Sequence, residues 1–309
     1  MLKKSTKIYL AGHNGFLGKS IQAYFKKKGY NLITFTKKDL DLRSRHKVNK
    51  RLKEISPDIV INAAGKVGGI KANINNNAEF LDENYLIQSN LILCSYKLGV
   101  KKFVNIASSC IYPTASKQPI KEDYLMNGSL EKTNEGYALS KISGLKLCEY
   151  LNTQYDFDAI TLIPCNLYGE ADKYYDDNSH FLPGLITKIY QAHIKKLDEV
   201  KLWGTGAPKR ELIHVDDLSR AIFFFLKKDK LQKRIINIGT GKDYRIKDYA
   251  NMIKKNIGFK GKIIWDKKYP DGMKRKLLDV RLMNELGFTT KIIFENGLNQ
   301  VLRYFKKNF

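Results

Sequence analysis

Tyr137 and Lys141 stand four residues apart in EGYALSK, downstream of Ser108, Ser109 and Cys110 in FVNIASSCIYP. On a helix this spacing puts phenol and ammonium one turn apart, about 6 Å of rise. An ammonium nearby favours the phenolate, lowers a tyrosine from its usual pKa of about 10, and lets it exchange a proton with a carbonyl oxygen. A hydroxyl from Ser108 or Ser109 can hold the same oxygen. Together these groups point to redox chemistry at a carbonyl. The pair alone fits an amphipathic surface helix equally well, because YxxxK arises often by chance, so its weight depends on the elements around it.

Those elements alternate. Lys7 to Ala11 reads as a first strand, leading into Gly12, His13, Asn14, Gly15, Phe16, Leu17 and Gly18. Three glycines spaced GxxGxxG between a strand and an amphipathic helix permit a tight turn, close approach of backbone to a diphosphate, and a helix N-terminus facing its charge. A second strand, Asn31 to Phe35, ends in Thr36, Lys37 and Lys38. An NAD-selective site places a carboxylate here; Lys37 instead suits a 2′-phosphate, so NADPH is the expected cofactor. Asp58 to Ala64 is a third strand, and the small residues Ala63, Ala64 and Gly65, followed by Lys66, let the backbone lie against a nicotinamide ribose. Ala78 to Leu98 reads as a long helix with Phe80, Leu81, Tyr85, Ile87, Leu91 and Ile92 as its apolar positions. Phe103 to Ala107 is a buried strand, Gly136 to Tyr150 a helix, and Ala159 to Ile163 a further strand that runs into Pro164, Cys165, Asn166 and Leu167. Strand and helix alternating in this way predict an α/β fold built on a doubly wound parallel sheet, with its ligand crevice at the carboxyl ends of the strands. Every motif named so far falls at such an end. Beyond about Gly169 the pattern changes: a polar run from Ala171 to Ser179 leads to His180, then a strand-like VKLWGTGAPKRELIHVDDLSRA and a strand at Ile235 to Ile238. The expected division is a dinucleotide-binding domain over 1–169, with a returning segment near 211–240, and a smaller α/β substrate domain over 170–309, sharing one cleft.

A chain of 309 residues with 55 Lys and Arg against 31 Asp and Glu carries a formal charge of +24, a field that attracts anionic ligands. The lysines are scattered as pairs, Lys3-Lys4, Lys37-Lys38, Lys227-Lys228 and Lys306-Lys307, without interleaved aromatics, so a solvated basic surface is expected and no nucleic-acid partner. The cysteines, Cys94, Cys110, Cys148 and Cys165, lack CxxC spacing, which argues against a zinc knuckle or disulfide framework and fits a reducing, cytoplasmic setting. No apolar run approaches the roughly 20 residues of a membrane span, and no membrane partner is expected.

The Ser, Tyr, Lys set and the glycine spacing resemble the extended short-chain dehydrogenase/reductase superfamily. SSCIYP, AAGKVGGIKAN, NEGYALSKISGLKLCE, NLYG, SH with Pro183 three residues on, WGTGAPKRELIHVDD and RKLLDV, spread over nearly the whole chain, resemble the GDP-L-fucose synthase family. The resemblance implies a Rossmann domain and a bifunctional enzyme that inverts C3 and C5 of a GDP-linked 4-keto-6-deoxy sugar and reduces C4 with NADPH. It assigns Ser108, Tyr137 and Lys141 to reduction and Cys110 and His180 to epimerisation, with reference pKa values near 8.5 and 6.5 that suit proton transfer at neutral pH. It also implies cofactor contacts at Asp41 and Leu42 on the adenine edge and at Pro164, Asn166, Leu167 and His180. Substrate contacts are expected at Ser108, Ser109, Cys110 and Asn166, at Lys201, Arg210 and Lys276 for the diphosphate, and at Trp203 against the base. Two departures from the family stand out: Lys188 where an arginine is usual, and Asn14 where an arginine often helps hold the 2′-phosphate. Apolar faces on the helices at 78–98 and 136–150 resemble the family's dimer-forming bundle, so a homodimer is expected. A reductase acting on a GDP-linked hexose or heptose without epimerising it keeps the same motifs, and a dinucleotide-sensing protein without catalysis is the remote alternative.

Overall fold

Four apolar runs, each fully buried, form the middle of the structure: β1 (Ile8–Ala11), β3 (Ile59–Asn62), β4 (Lys102–Ile106) and β5 (Ala159–Pro164). Strands covered on both faces read as continuous hydrophobic stretches, and parallel strands require that cover. The computed structural model describes residues 2–175, 180–229, 231–269 and 271–309. Among them, β2 (Leu32–Ile33) and β9 (Ile235–Ile238) complete a six-stranded parallel sheet in the order β2-β1-β3-β4-β5-β9. The register runs Ile8 to Ile59, Ile59 to Lys102, Phe103 to Ala159 and Thr161 to Ile235. Order reverses between β1 and β3, and there a doubly wound sheet opens its crevice.

Alternate residues of each strand feed two cores. Tyr9, Val60, Phe103 and Ala159 face α2 (Arg45–Ile55) and α4 (Asn77–Lys97), against Val48, Leu52, Leu91 and Ile92. Ile8, Ile61, Val104 and Leu162 face the other way, in one cluster with Ile21 and Phe25 of α1 (Phe16–Lys27) and Phe225 of α7 (Val215–Leu226). A short α3 (Ile70–Asn75) precedes α4, and α5 (Glu135–Tyr155) packs closely along α4, where Gln88 donates to the Ser140 carbonyl at 3.1 Å.

The remainder builds a second core. It gathers α6 (Phe181–Ile194), α8 (Ile246–Ile257) and α10 (Phe294–Asn308) around Ile186, Ile189, Tyr249, Leu298 and Phe305. Strand β8 (Lys209–His214) lies between β10 (Asp243–Arg245) and β12 (Arg275–Lys276) and also pairs with β6 (Asn166–Tyr168); β7 (Glu199–Trp203) pairs with β11 (Lys262–Asp266). A short α9 (Arg281–Glu285) follows β12.

The expected strand at 31–35 shrinks to two residues, because Thr36 already turns to bond Asp39, and the end of the strand-like run, VDDLSRA, is helical within α7. Of the polar run expected at 171–179, residues 176–179 lie outside the described residues. RELIHVDD runs from β8 into α7, and β9 of the six-stranded sheet follows. His214 caps α7, whose Asp216 accepts from Ser20 of α1 at 2.7 Å, and buried Asp217 accepts from the backbone of Lys291 and Ile292 and from Arg220. Glu211, fully buried on β8, accepts from Thr240 N at 2.6 Å, Gly241 N at 2.7 Å and Leu278 N at 2.9 Å. One carboxylate thereby joins the end of β9, the start of β10 and the segment after β12.

Burial pushes Glu211 up to about 7 from 4.5. The folded state therefore binds its proton more tightly than the unfolded chain, so its contribution to stability is full below about pH 4.5 and is lost as pH rises through about 7. Denaturant titrations of the protein and of Glu211→Gln should show their stability difference shifting against the native residue by up to about 3 kcal/mol between pH 5 and 8; a difference flat with pH contradicts a buried, titrating carboxylate.

Candidate active site

Gly12 ends β1 with φ +85°, and a Cβ there would stand 2.6 Å from Ala64 N and 2.7 Å from the Ala63 carbonyl. The turn after β1 thus passes directly over the small residues that end β3. A Cβ on Gly18 would meet the Gly12 oxygen at 2.0 Å, so α1 also sits hard against the turn. Its N-cap is Gly15, with no side-chain cap and no acidic residue in the first turn. Uncapped N–H groups at a positive helix end fit a diphosphate. Asn14 is exposed at this turn, with Phe16 and Leu17 half-buried behind it.

A chain of ion pairs borders the crevice beyond β2. Arg43 grips Asp41 with Nε and Nη2 at 3.0 and 2.8 Å and reaches Glu83 at 3.4 Å; Glu83 in turn holds Lys66 at 2.7 Å. The Arg43 fork holds Asp41 down at about 2, and Lys37, exposed nearby, adds its positive field to Asp41 and Glu83. Leu42 accepts from Asn90 through its carbonyl at 3.0 Å. Lys66 was expected at the cofactor. Its ammonium is committed to Glu83, and its backbone is clamped by buried Asn84, which accepts from Lys66 N at 2.8 Å and donates to Lys66 O at 3.0 Å.

At the end of β4, Ser108 caps a single turn of tight helix, Ser109–Ile111, its hydroxyl accepting from Cys110 N at 3.4 Å. Ser109 and Cys110 are buried. From α5, Lys141 donates to the Ile106 carbonyl at 3.1 Å, with its Nζ 5.7 Å from the Tyr137 ring centroid. The expected electrostatics are reversed. Burial and the Cys110 thiol push Tyr137 up instead of down, and burial brings Lys141 down to about 8. Desolvation wins because the ammonium is spent on a backbone carbonyl and not on the phenol oxygen. Tyr137 is therefore a neutral phenol at pH 7, the form that gives a proton. Burial also raises the Cys110 thiol, opposed by Lys276, the Ser108 hydroxyl and Lys141.

Register pairing places Lys276 of β12 beside Arg210 of β8. Arg210 Nη1 donates to the Lys209 and Met273 carbonyls at 2.8 and 2.6 Å, and burial lowers both cations. Two desolvated cations side by side suit a diphosphate. Lys201 is exposed on β7. Trp203 does not offer a free ring: it stacks on Tyr269 at 4.3 Å and 12°, and Lys188 lies 4.2 Å from its centroid. Lys188 thus meets an aromatic face where a family arginine was expected. Pro164 is buried in register with Ile238; Asn166 and Leu167 lie in β6, half-buried beside Leu212 and Ile213. His180 caps α6 with its imidazole half-exposed, Nδ1 3.8 Å from Asp172, which raises its pKa. The structure therefore groups Ser108, Cys110, Tyr137, Lys141 and Lys276, and sets His180 with Asp172.

Sequence reasoning missed Arg43, Glu83, Asn84 and Asp172. A polar residue among the apolar positions of the long helix could have marked Asn84, and Arg43 follows Asp41 by two residues; Asp172 gives no local signal.

Residues 8–239 match the NAD dependent epimerase/dehydratase family. The chain is 43% identical over its whole length, and 94% of the relative's, to a protein described as putative GDP-L-fucose synthase 2 of Arabidopsis thaliana. It is 42% identical to the GDP-L-colitose synthase of Yersinia pseudotuberculosis, covering 97% of each. Among solved structures, it is similar to MlghC, a GDP-mannoheptose C4 reductase from Campylobacter jejuni with NADP bound, with a TM-score of 0.91 and 33% identity over 99% of this chain and 100% of that one.

If Asp172 sets the basicity of His180, NMR titration of the imidazole should give a pKa above 6.5, and Asp172→Asn should lower it. An unmoved titration removes Asp172 as the partner.

Proposed function

Because the chain belongs to the GDP-L-fucose synthase branch of the NAD dependent epimerase/dehydratase family, we propose that one pocket inverts C3 and C5 of a GDP-linked 4-keto-6-deoxy sugar and then reduces C4. The observation that carries this reading is the buried Cys110 thiol in one electrostatic neighbourhood with Tyr137, Lys141 and Lys276.

The C4 ketone acidifies the protons on C3 and C5 through the enolate. Cys110 takes a proton as its thiolate, a form that burial disfavours and the fields of Lys276 and Lys141 favour, and His180, held in its protonated form by Asp172, returns one from the opposite side. Reduction abolishes that acidity, so inversion precedes it. Arg210 and Lys276 hold the diphosphate. Ser108 binds the C4 oxygen, and Tyr137, neutral by burial, protonates the alkoxide as it forms. Lys141 sits against the Gly65 backbone and orients the nicotinamide ribose. When bound, NADPH would supply the hydride, and the Gly12 turn, the uncapped start of α1 and Lys37 would hold its phosphates. The four free, buried cysteines fit the cytoplasm. The outer faces of α4 and α5 expose Leu81, Tyr85, Leu139 and Tyr150, and pairing of these faces would make a homodimer.

A second reading, C4 reduction alone, is favoured by the similarity to a heptose C4 reductase. Incubation with NADPH and GDP-4-keto-6-deoxy-mannose in D2O separates the two: deuterium at C3 and C5 of the product is expected, and reduction without deuterium establishes the reductase alone. Tyr137→Phe should lower the rate of reduction by a factor on the order of 100 or more while GDP-sugar binding persists; retained turnover refutes the assigned donor. Cys110→Ser should lose deuterium incorporation yet still consume NADPH. Leu139→Glu with Tyr150→Glu should yield monomers in sedimentation, and an unchanged mass places the subunit contact elsewhere.

A further inference from the structure

A parallel sheet sends every strand start and every connecting helix end to one side, opposite the crevice. In this chain that side is basic. Lys26–Lys28 close α1, Lys53 closes α2, Lys97 closes α4 and Lys227 follows α7, all exposed. Exposed Lys3, Lys4 and Lys7 lead into β1, Lys101 into β4 and Lys233 into β9. Contacts between these segments make them one continuous face: Lys4 reaches the Lys28 carbonyl, Lys7 N and Lys101 both bond Asp58, and Lys102 bonds Asp158 and the Lys228 carbonyl. Four carboxylates of this face are engaged locally, Asp58 by Lys101, Asp158 by Lys102, Asp156 by Arg234 and Glu54 by Arg51, and Asp229 is exposed after Lys227 and Lys228. Helix dipoles account for a cation or two at each helix end. They do not account for the lysines that precede strands.

We infer that this basal face docks electrostatically on an anionic phospholipid bilayer, with the catalytic crevice turned away from the membrane. The exposed cations are lysines, compact and hydrated charges on flexible stems that suit a diffuse layer of headgroups; the nearby arginines are engaged with Glu54 and Asp156. Nucleic acid would be met by arginine forks and stacking aromatics. Tyr155, 57% exposed at the end of α5, is a side chain suited to the headgroup boundary. Peripheral docking needs no spanning helix, and among the described residues no helix is long and apolar enough to span. The inference is independent of the reaction proposed above.

The test is flotation of the full chain with vesicles of about 30 mol% phosphatidylglycerol in phosphatidylcholine, at about 0.05 and 0.5 M salt, against phosphatidylcholine alone. Binding to the anionic vesicles alone is expected, falling at least about tenfold at high salt. Replacing Lys26, Lys27, Lys53 and Lys97 with Gln should weaken binding about tenfold or more, while the same change at exposed Lys255, Lys260, Lys306 and Lys307 leaves it within about twofold, and NADPH turnover persists in both. No binding of the unaltered chain, or equal loss in both variants, would overturn the inference.

Discussion

One buried carboxylate ties the two halves of the molecule together. Glu211 leaves water entirely and recovers three backbone hydrogen bonds, from Thr240, Gly241 and Leu278. Its neighbour in the chain is Arg210, and two residues before Leu278 is Lys276, so the bonds that satisfy Glu211 also set these two cations side by side. The same bonds hold them at the carboxyl end of β9, within the sheet that carries the glycine turn. A buried charge left without partners is costly; here that cost enforces one relative placement of the cation pair and the sheet.

Desolvation governs the chemistry as well as the architecture. Cys110, Tyr137 and Lys141 are all shifted toward their neutral forms by burial, the thiol and phenol upward and the ammonium down to about 8. In water these groups would act independently. Out of it, each charge depends on a specific neighbour, and Lys276 stands beside Arg210 and in the field around Cys110 at once. Binding an anion beside Lys276 is thereby linked physically to the acidity of the thiol.

The glycine turn and the Ser108–Cys110 turn arise at strand ends, Tyr137 and Lys141 on α5, and much of this was legible beforehand. Buried strands announced themselves as apolar runs, the turn by its glycines, and the Tyr137 helix by its spacing. What failed was instructive. The sign of the Tyr137 shift was misjudged because spacing gives the distance to an ammonium but not the depth of burial or the carbonyl that claims it. Trp203 was expected to face a base, yet Tyr269, sixty-six positions away, is stacked on it.

The amino-acid sequence alone determined the alternation of strands and helices, the phosphate turn and the identities of the reactive groups, because these rest on local periodicity, backbone freedom and side-chain chemistry. The tertiary structure decided which of those groups share a neighbourhood, that Cys110 and Lys276 feel each other while His180 rests with Asp172. It also decided that lysines preceding strands and closing helices, the pairs Lys3-Lys4 and Lys227-Lys228 among them, collect on one face. Charge and burial are properties of position in space, and residues far apart in sequence acquire a common field only once the parallel sheet has brought its strand starts and helix ends to the same side.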